Sequence, residues 1–248
     1  MKINARAAAN SPINERMPNL NRISGFTLLE LLVVVGILAA LVALALPFYQ
    51  DYVNQSKLTA AEADIKTFTK ALAMYDQLEP QMFNASNFLP LIGKYLQDYR
   101  NTSNQLMPVD PWSNDYNFDV QTGAVWSSGP NGTDESAGLR NAGGDDILQT
   151  WKPDFFVIAA RKINSRTLEI SFSRKVSALA PADVSVPAPV GAATNIQKIS
   201  DSVFRALFGA DLPVSGTVTV ANTVTAQDGR ALSASTKPDG SVSNTATF

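Results

Sequence analysis

The sequence predicts an α+β protein, in which a long N-terminal helix carries a small antiparallel sheet and an acidic loop, followed by an all-β sandwich. Three observations support this fold class. An almost unbroken apolar run over residues 31–48 continues into a stripe with helical spacing. Residues 127–146 are rich in Gly, Asn, Asp and Glu. Beyond Trp151, short alternating segments separated by Asp-Gly pairs replace the helical pattern.

The first element is a helix predicted over residues 26–79. Its first half is apolar on all sides, and beyond Pro47 apolar residues recur at steps of three and four. The stripe consists of Leu58, Ala61, Ile65, Phe68, Leu72 and Tyr75. Pro80 ends the helix because a proline disfavours the helical conformation of the residue before it. At about 1.5 Å per residue the helix is roughly 80 Å long. We expect lipid or other copies of the chain to cover its first half, and a globular domain to pack on its second.

The globular part over residues 80–151 is predicted to begin with a short helix at residues 90–99. Strands are predicted at residues 116–120 and 124–127, with a hairpin turn at Gln121-Thr122-Gly123 between them. The following acidic loop, residues 127–146, is predicted to be irregular because Gly, Asn and Asp favour turns and loops.

Residues 152–248 are predicted to form a separate β-sandwich of about 95 residues. Strand character at residues 167–173, 202–208 and 217–220 supports this, as do turns at Asp228-Gly229 and Asp239-Gly240. We predict that this part folds alone, with a boundary near residues 151–155. Its core candidates are Phe156, Ile158, Leu168, Ile170, Phe172, Phe204, Leu207 and Val218. The basic residues Arg161, Lys162, Arg166, Arg174 and Lys175 are interpreted as a solvated face.

The composition excludes several kinds of chemistry. The chain has no Cys and no His, so His-based triads, Cys nucleophiles and the usual zinc ligands are absent. The net charge of −2 and the lack of a Lys/Arg cluster beyond the N-terminal segment argue against nucleic acid as a partner. A secreted hydrolase that uses an acidic pair is therefore the weakest of the functional interpretations.

Glu30 is the unusual residue of the N-terminal segment, because an ionisable group in an apolar membrane helix is costly and points to a function. Three interpretations of the first fifty residues are open. A plain membrane anchor fits, since about 20 apolar residues span a bilayer. A secretory signal fits the small-x-small form of Ala43-Leu44-Ala45. A processed membrane helix fits the basic leader at residues 1–25, which would stay cytoplasmic. The first two interpretations leave Glu30 unexplained.

The hexapeptide Gly25-Phe26-Thr27-Leu28-Leu29-Glu30 resembles the processing site of type IV pilins and of the pseudopilins of type II secretion. The resemblance implies that a prepilin peptidase cuts after Gly25 and that Phe26 becomes the N-methylated terminus. It implies a single-pass protein of the inner membrane with a periplasmic C-terminal part, which is then extracted into a filament. There Glu30 pairs with the amino terminus of Phe26 on an adjacent subunit. Pro47 falls where many family members kink the first helix.

The acidic loop is a candidate calcium site. It holds Asn131, Asp134, Glu135, Asp145 and Asp146 among several glycines, and Ca²⁺ takes six to eight oxygen ligands, including backbone carbonyls. The spacing is not that of an EF-hand. On composition alone, a solvated acidic loop is slightly favoured.

Residues 110–147 resemble the C-terminal part of the major pseudopilin of type II secretion, in which a short sheet leads into a calcium-binding loop. The matching residues are Asp110-Pro111-Trp112, Tyr116, Ser128-Gly129, Asn131-Gly132 and Asp146-Ile147. Ser113 replaces a Gly of the family pattern, and Asn131 stands where an Asp is usual, which removes a charge. The resemblance implies a Ca²⁺ ion held by Asn131, Asp134, Asp145 and Asp146, with backbone carbonyls near Val125 and Ser128 assisting.

Residues 152–248 resemble the immunoglobulin-like modules of bacterial surface proteins, through Phe172-Ser173 and Asp228-Gly229. A fold alone implies no function. Together the resemblances imply a non-catalytic structural subunit of a pseudopilus or type IV pilus-like filament of a type II secretion system. Its partners would be other copies of itself, other pseudopilins, the inner-membrane assembly platform and the prepilin peptidase. The alternative is a surface pilin or adhesin whose sandwich, displayed on the outside of the filament, binds a partner.

Overall fold

The computed structural model describes residues 25–97 and 107–248. The leader predicted at residues 1–25 lies outside this range except for Gly25. The chain divides into two structural units, one that ends at Asp51 and one that spans Tyr52–Phe248. Helix α1, Leu28–Leu78, contributes residues to both units.

The first half of α1 presents apolar side chains on every side. Residues 25–52 are all exposed in the isolated chain, and Pro47 lies inside the helix. By its length and composition, α1 is long and apolar enough to cross a membrane. Burial of apolar surface is the main favourable term in folding and association, so this surface requires lipid or other protein around it.

The second half of α1 packs on one side, as the apolar stripe predicts. Ile65, Phe68 and Leu72 are buried, whereas Leu58 and Tyr75 at the ends of the stripe are half-buried. The ring of Phe68 makes edge-to-face contacts with Phe88 and Tyr116, at centroid distances of 5.2 and 5.0 Å. Such aromatic contacts are favourable beyond the area that they bury.

A three-stranded antiparallel sheet covers this core. Its strands are β1, Asn117–Asp119, β2, Ala124–Ser127, and β3, Ile147–Thr150, in the order β1-β2-β3. The two predicted strands are confirmed as β1 and β2. The sequence does not predict strand β3. Its four residues show no alternation of buried and exposed side chains that a sequence pattern could reveal. The helix expected at residues 90–99 is wrong for the described residues 90–97, which form successive turns and an isolated bridge between Ile92 and Leu96.

The remaining strands form an all-β sandwich. They are β4, Val157–Asn164; β5, Thr167–Phe172; β6, Val184–Val186; β7, Gly191–Ser200; β8, Val203–Phe208; β9, Thr217–Val220; and β10, Thr245–Thr247. The hydrogen-bonded order is β10-β9-β6-β7-β8-β5-β4, with every pair antiparallel. A hydrogen bond of 2.8 Å from the Val157 amide to the Ser243 carbonyl joins the two ends of this order. The sheet therefore curls almost into a barrel.

Five of the eight predicted core residues of the sandwich are buried, Phe156 is half-buried, and Ile158 and Leu207 are exposed. Leu168, Ile170 and Phe172 alternate inward along β5, as predicted. In β4, however, Ile158 is 56% exposed, whereas Val157 and, just before the strand, Phe155 are fully buried. A register shift between Val157 and Ala159 accompanies this change of parity, and a shift of one residue reverses which side chains face inward. Leu207, also predicted as core, lies on the outer face of β8.

The sandwich has one hydrophobic cluster, and the part formed by α1 and the small sheet has another. Trp151 belongs to the cluster around Phe68 and Tyr116, and Phe155 belongs to the cluster inside the sandwich. Folding of residues 152–248 on their own remains a prediction.

Candidate functional site

The N-terminal end of α1 is closed by a reciprocal pair of side chains. The Glu30 amide donates to Thr27 Oγ1 at 3.2 Å, and the Thr27 amide donates to Glu30 Oε2 at 2.9 Å. The first amides of a helix have no partner within the helix, and this capping-box arrangement satisfies two of them. In a single chain, therefore, the Glu30 carboxylate caps its own helix.

Gly25 and Phe26 precede this cap as exposed, non-helical residues. The Phe26 side chain is 81% exposed. The Gly25–Phe26 bond is therefore accessible in the isolated chain.

The acidic loop is anchored at its start by the Asp110-Pro111-Trp112 element. The buried Asp110 carboxylate accepts hydrogen bonds from the amides of Trp112 and Asn114, both at 2.9 Å. Its other oxygen accepts from Ser127 Oγ at 2.6 Å. The element that carries part of the family resemblance thus fixes the residue at which β2 passes into the loop.

Three carboxylates converge inside the loop. Oxygens of Glu135, Asp145 and Asp146 all lie within 4.8 Å of one another. Gly144, at φ +51°, makes this convergence possible, because a side chain there would overlap the Glu135 carboxylate.

The structure brings together two of the four predicted metal ligands, Asp145 and Asp146, and adds Glu135. Asp134 lies apart from the group, since its Oδ1 accepts hydrogen bonds from Trp126 Nε1 at 2.9 Å and from the Ala137 amide at 3.1 Å. Asn131 touches the group through its backbone amide, which donates to Asp145 Oδ2 at 3.1 Å. The Gly143-Gly144 pair is the sequence signal for Glu135, because it lets the chain pass close to that residue.

The donor set suits a hard cation. Asp146 is buried, and its Oδ2 accepts from the Glu135 amide at 2.9 Å. Its Oδ1 is buried with no hydrogen-bond partner, although a buried polar atom normally has one. Three convergent carboxylates with an unsatisfied buried oxygen match the ligand chemistry of Ca²⁺.

A second group of charged side chains, which we call the junction cluster, lies between the small sheet and the sandwich. It consists of Asp76, Arg140, Lys152, Asp154, Arg174, Asp228 and Arg230. Asp228 is at its centre, with one carboxylate oxygen 2.5 Å from Lys152 Nζ and 2.9 Å from Arg174 Nη1. Burial lowers the pKa of both Lys152 and Arg174, and Asp228 opposes that shift.

The junction cluster corrects the interpretation of Arg174 as a solvated residue. Its side chain is 1% exposed, and it donates to the carbonyls of Gln121, Thr122 and Pro153 as well as to Asp228. Lys175 donates to the Glu79 carbonyl at 2.7 Å. The sequence carries no local signal for these contacts, because the partners lie 21 to 96 residues apart.

Comparison with known proteins assigns the N-terminal segment. Residues 20–46 match the family model described as the prokaryotic N-terminal methylation motif. This range contains Gly25, Phe26 and Glu30, three of the four residues predicted for processing and assembly, whereas the fourth, Pro47, lies just beyond it.

Relatives extend the similarity beyond that segment. Type II secretion system core protein G of Pseudomonas aeruginosa is 35% identical over 102 residues, which cover 38% of this chain and 72% of that protein. Fimbrial protein Q and the type IV major alpha-pilin, both of Moraxella bovis, are 36% and 34% identical over 70 residues. That length is 27% of this chain and 45% and 44% of theirs. The chain therefore spans less than half the length of these two fimbrial relatives.

The fold and the N-terminal site define a pilin-like subunit of a filament. The chain belongs to the family of type IV pilin-like proteins that includes type II secretion system core protein G.

Proposed function

We propose that this protein is a structural, non-catalytic subunit of the pseudopilus of a type II secretion system. The observation that carries the proposal is the 102-residue match to core protein G, which spans 72% of that protein. The match to the two fimbrial relatives covers a smaller share of each of them. The anchored loop behind Asp110, which the sequence shares with pseudopilins by resemblance, supports the same choice.

The route to the filament follows from the N-terminal half of α1. Residues 28–51 insert into the inner membrane as a single helix, with the later residues in the periplasm. A prepilin peptidase cuts the exposed Gly25–Phe26 bond and Phe26 is methylated. An inner-membrane assembly platform then moves the subunit into a filament with other pseudopilins and copies of itself. In that filament, neighbouring helices take over the apolar surface that is exposed in the single chain.

Glu30 has a different partner in the filament. In a single chain its carboxylate accepts hydrogen bonds from the Thr27 amide and hydroxyl, each at 2.9 Å. The new amino terminus at Phe26 carries a positive charge that the apolar core of a filament leaves without water. Pairing of Glu30 with the Phe26 terminus of an adjacent subunit neutralises both charges and fixes the axial register between subunits.

Replacement of Glu30 tests this assignment in cells that have a complete type II secretion system. We expect Glu30→Leu to leave membrane insertion and cleavage at Gly25 intact, and to abolish filaments recovered by shearing. Glu62→Leu is a matched control, since Glu62 is an exposed carboxylate farther along the same helix. Normal filament yield from Glu30→Leu rules out the pairing. Unchanged protein secretion in cells that lack the chain rules out the secretion role and leaves the assembly role standing.

We also propose that the acidic loop binds Ca²⁺ through Glu135, Asp145 and Asp146. The unsatisfied Asp146 Oδ1 supports this, and so does the gathering of three like charges within 4.8 Å, which a divalent cation would neutralise. Calorimetric titration of the full chain in detergent with calcium chloride tests the site. We expect binding to the wild type and none to Asp146→Asn. An equal heat for both proteins excludes Asp146 as a ligand.

A second candidate function is a surface pilin whose sandwich binds a partner. An apolar groove of about 470 Å³ at one end of the sandwich favours it, lined by Pro187, Pro189 and Pro213 among others. Beside it, the Val214 side chain is 95% exposed. The Val214→Asp variant distinguishes the two functions. A subunit of the secretion machinery keeps secreting normally, whereas an adhesive pilin still forms filaments but loses surface attachment.

A further inference from the structure

Arg140 connects the acidic loop to the sandwich. It is the one Lys or Arg within residues 127–146. Its guanidinium donates to the Thr122 carbonyl and, at 3.0 Å, to the Lys152 carbonyl. Its Nε lies 3.9 Å from Asp154 Oδ2. The middle of the loop is therefore held by the β1–β2 turn and by the first residues after β3.

The sandwich fixes the anion that faces Arg140. Arg230 Nε donates to Asp154 Oδ1 at 3.0 Å, and Arg230 Nη2 donates to Asp154 Oδ2 at 3.2 Å. Ser235 Oγ adds a hydrogen bond of 2.8 Å to Asp154 Oδ1. A bidentate contact of this kind fixes the orientation of the carboxylate as well as attracting it. The position of the Asp154 carboxylate therefore depends on the docked sandwich.

The carbonyl of Thr122 is a second shared contact. It accepts from Arg140 of the loop and, at 3.3 Å, from Arg174 Nη2 of the sandwich. Gly123 follows it at φ +70°, and a side chain there would overlap Lys152. Loop, β1–β2 turn and sandwich therefore meet around one short stretch of backbone.

We propose that the docked sandwich holds the acidic loop closed through Arg140, so that loop closure and sandwich docking are energetically coupled. Arg140 donates to the backbone carbonyls of Thr122 and Lys152 and faces the carboxylate of Asp154, which the sandwich positions. If the sandwich loosens, Asp154 withdraws, and Arg140 loses the carboxylate that faces its half-buried charge. The residues that flank Arg140 in the loop, Glu135 and Asp145, are then freed to separate. Coupling of this kind is reciprocal: anything that closes the loop also tightens the docking.

Hydrogen exchange on the full chain in detergent micelles tests the coupling without any metal. The amides of Asn131, Glu135 and Gly143 donate to acceptors within the loop and report its closure. The variant Arg230→Gln removes the paired hydrogen bonds to Asp154, at a site outside the loop. We expect these amides to exchange at least about fivefold faster in Arg230→Gln than in the wild type, because local opening sets the exchange rate.

Two further variants make the test decisive. Arg140→Gln should accelerate the same amides, and the double variant should be no faster than Arg140→Gln alone, because both changes break one chain of contacts. Arg161→Gln on the outer face of the sandwich is the control and should change none of them. If Arg230→Gln also loosens β5 and β8, then Ser235→Ala replaces it under the same criterion. Unchanged loop exchange with the Asp154 contacts broken overturns the proposal, and so do additive effects in the double variant.

Discussion

The acidic loop and the junction cluster accommodate charged side chains in opposite ways. The loop brings three carboxylates together, whereas the junction cluster pairs acidic with basic side chains. In the loop, Glu135, Asp145 and Asp146 bring like charges within 4.8 Å of one another. In the junction cluster, Asp228 lies directly between Lys152 and Arg174. The comparison shows that Asp228, fully buried, is paired with two cations of the chain, whereas the buried Asp146 of the loop lies beside two further carboxylates. Glu135 and Asp145 of the loop are exposed, so an external cation can reach the group that they form with Asp146.

The largest expected effect on stability is in the junction cluster. Asp228→Ala leaves Lys152 and Arg174 buried without their shared anion. Breaking a buried ion pair from one side costs about 3–5 kcal/mol, and we expect a loss of that size in the free energy of unfolding, measured by denaturant titration of the full chain in detergent.

Asp239 provides a matched control for Asp228. Both precede a glycine at positive φ, and both accept an amide two residues later through Oδ1. Asp239, however, is exposed on the surface. Asp239→Ala should therefore change stability little. Equal losses for the two variants would mean that the turn, and not the buried pairing, accounts for the contribution of Asp228.

The next effect concerns the loop, where stability should depend on an added ion. Binding to the folded state alone stabilises it by about 2.7 kcal/mol at a hundredfold excess of free ion over Kd. We therefore expect chelation to lower the melting temperature of the full chain, and Asp146→Ala to remove the difference between calcium and chelator. Asp115→Ala, outside the loop, should keep it. Identical melting temperatures of the wild type with calcium and with chelator would contradict calcium binding.

The contrast between the two regions also separates what the sequence predicts from what it does not. Hydrophobic periodicity predicts α1 and the inward residues of β5, because the pattern of a helix face or of an alternating strand lies within a short stretch of sequence. Composition located the acidic loop for the same reason. The junction cluster had no such local signal: Arg174 meets Asp228 across 54 residues, and in the sequence it looks like any surface arginine. The prediction of Ile158 as a core residue is wrong because the register shift in β4 cannot be recognised within an apolar run of the sequence.

The third effect is a pH dependence carried by Asp154. Burial favours a raised pKa, but hydrogen bonds from Arg230, Ser235 and the Phe155 amide outweigh it and hold the pKa of Asp154 below its ordinary value of 3.8. A carboxyl group with a depressed pKa stabilises the folded state above its unfolded-state pKa, and this contribution disappears as the pH falls through the folded-state pKa.

The difference in unfolding free energy between the wild type and Asp154→Asn checks this sign. We expect the difference to be constant at pH values well above 3.8 and to shrink as the solution is acidified below that value. Subtracting the variant removes the titration of all the other carboxylates. A difference that grows on acidification would mean that Asp154 is destabilised, not stabilised, by its surroundings.

The smallest effect is expected for an ion pair that resembles those of the junction cluster in distance but not in burial. Arg161 Nη2 lies 2.7 Å from Glu169 Oε1, and the Arg161 side chain is 69% exposed. Exposed pairs contribute little, because water and salt screen the attraction and the long side chains lose freedom. Glu169 also keeps Arg205 as a second partner at 3.0 Å. Arg161→Gln should therefore leave the free energy of unfolding unchanged within error at physiological salt. A loss comparable to that of Asp228→Ala would show that close geometry alone, without burial, decides how much these pairs stabilise the sandwich.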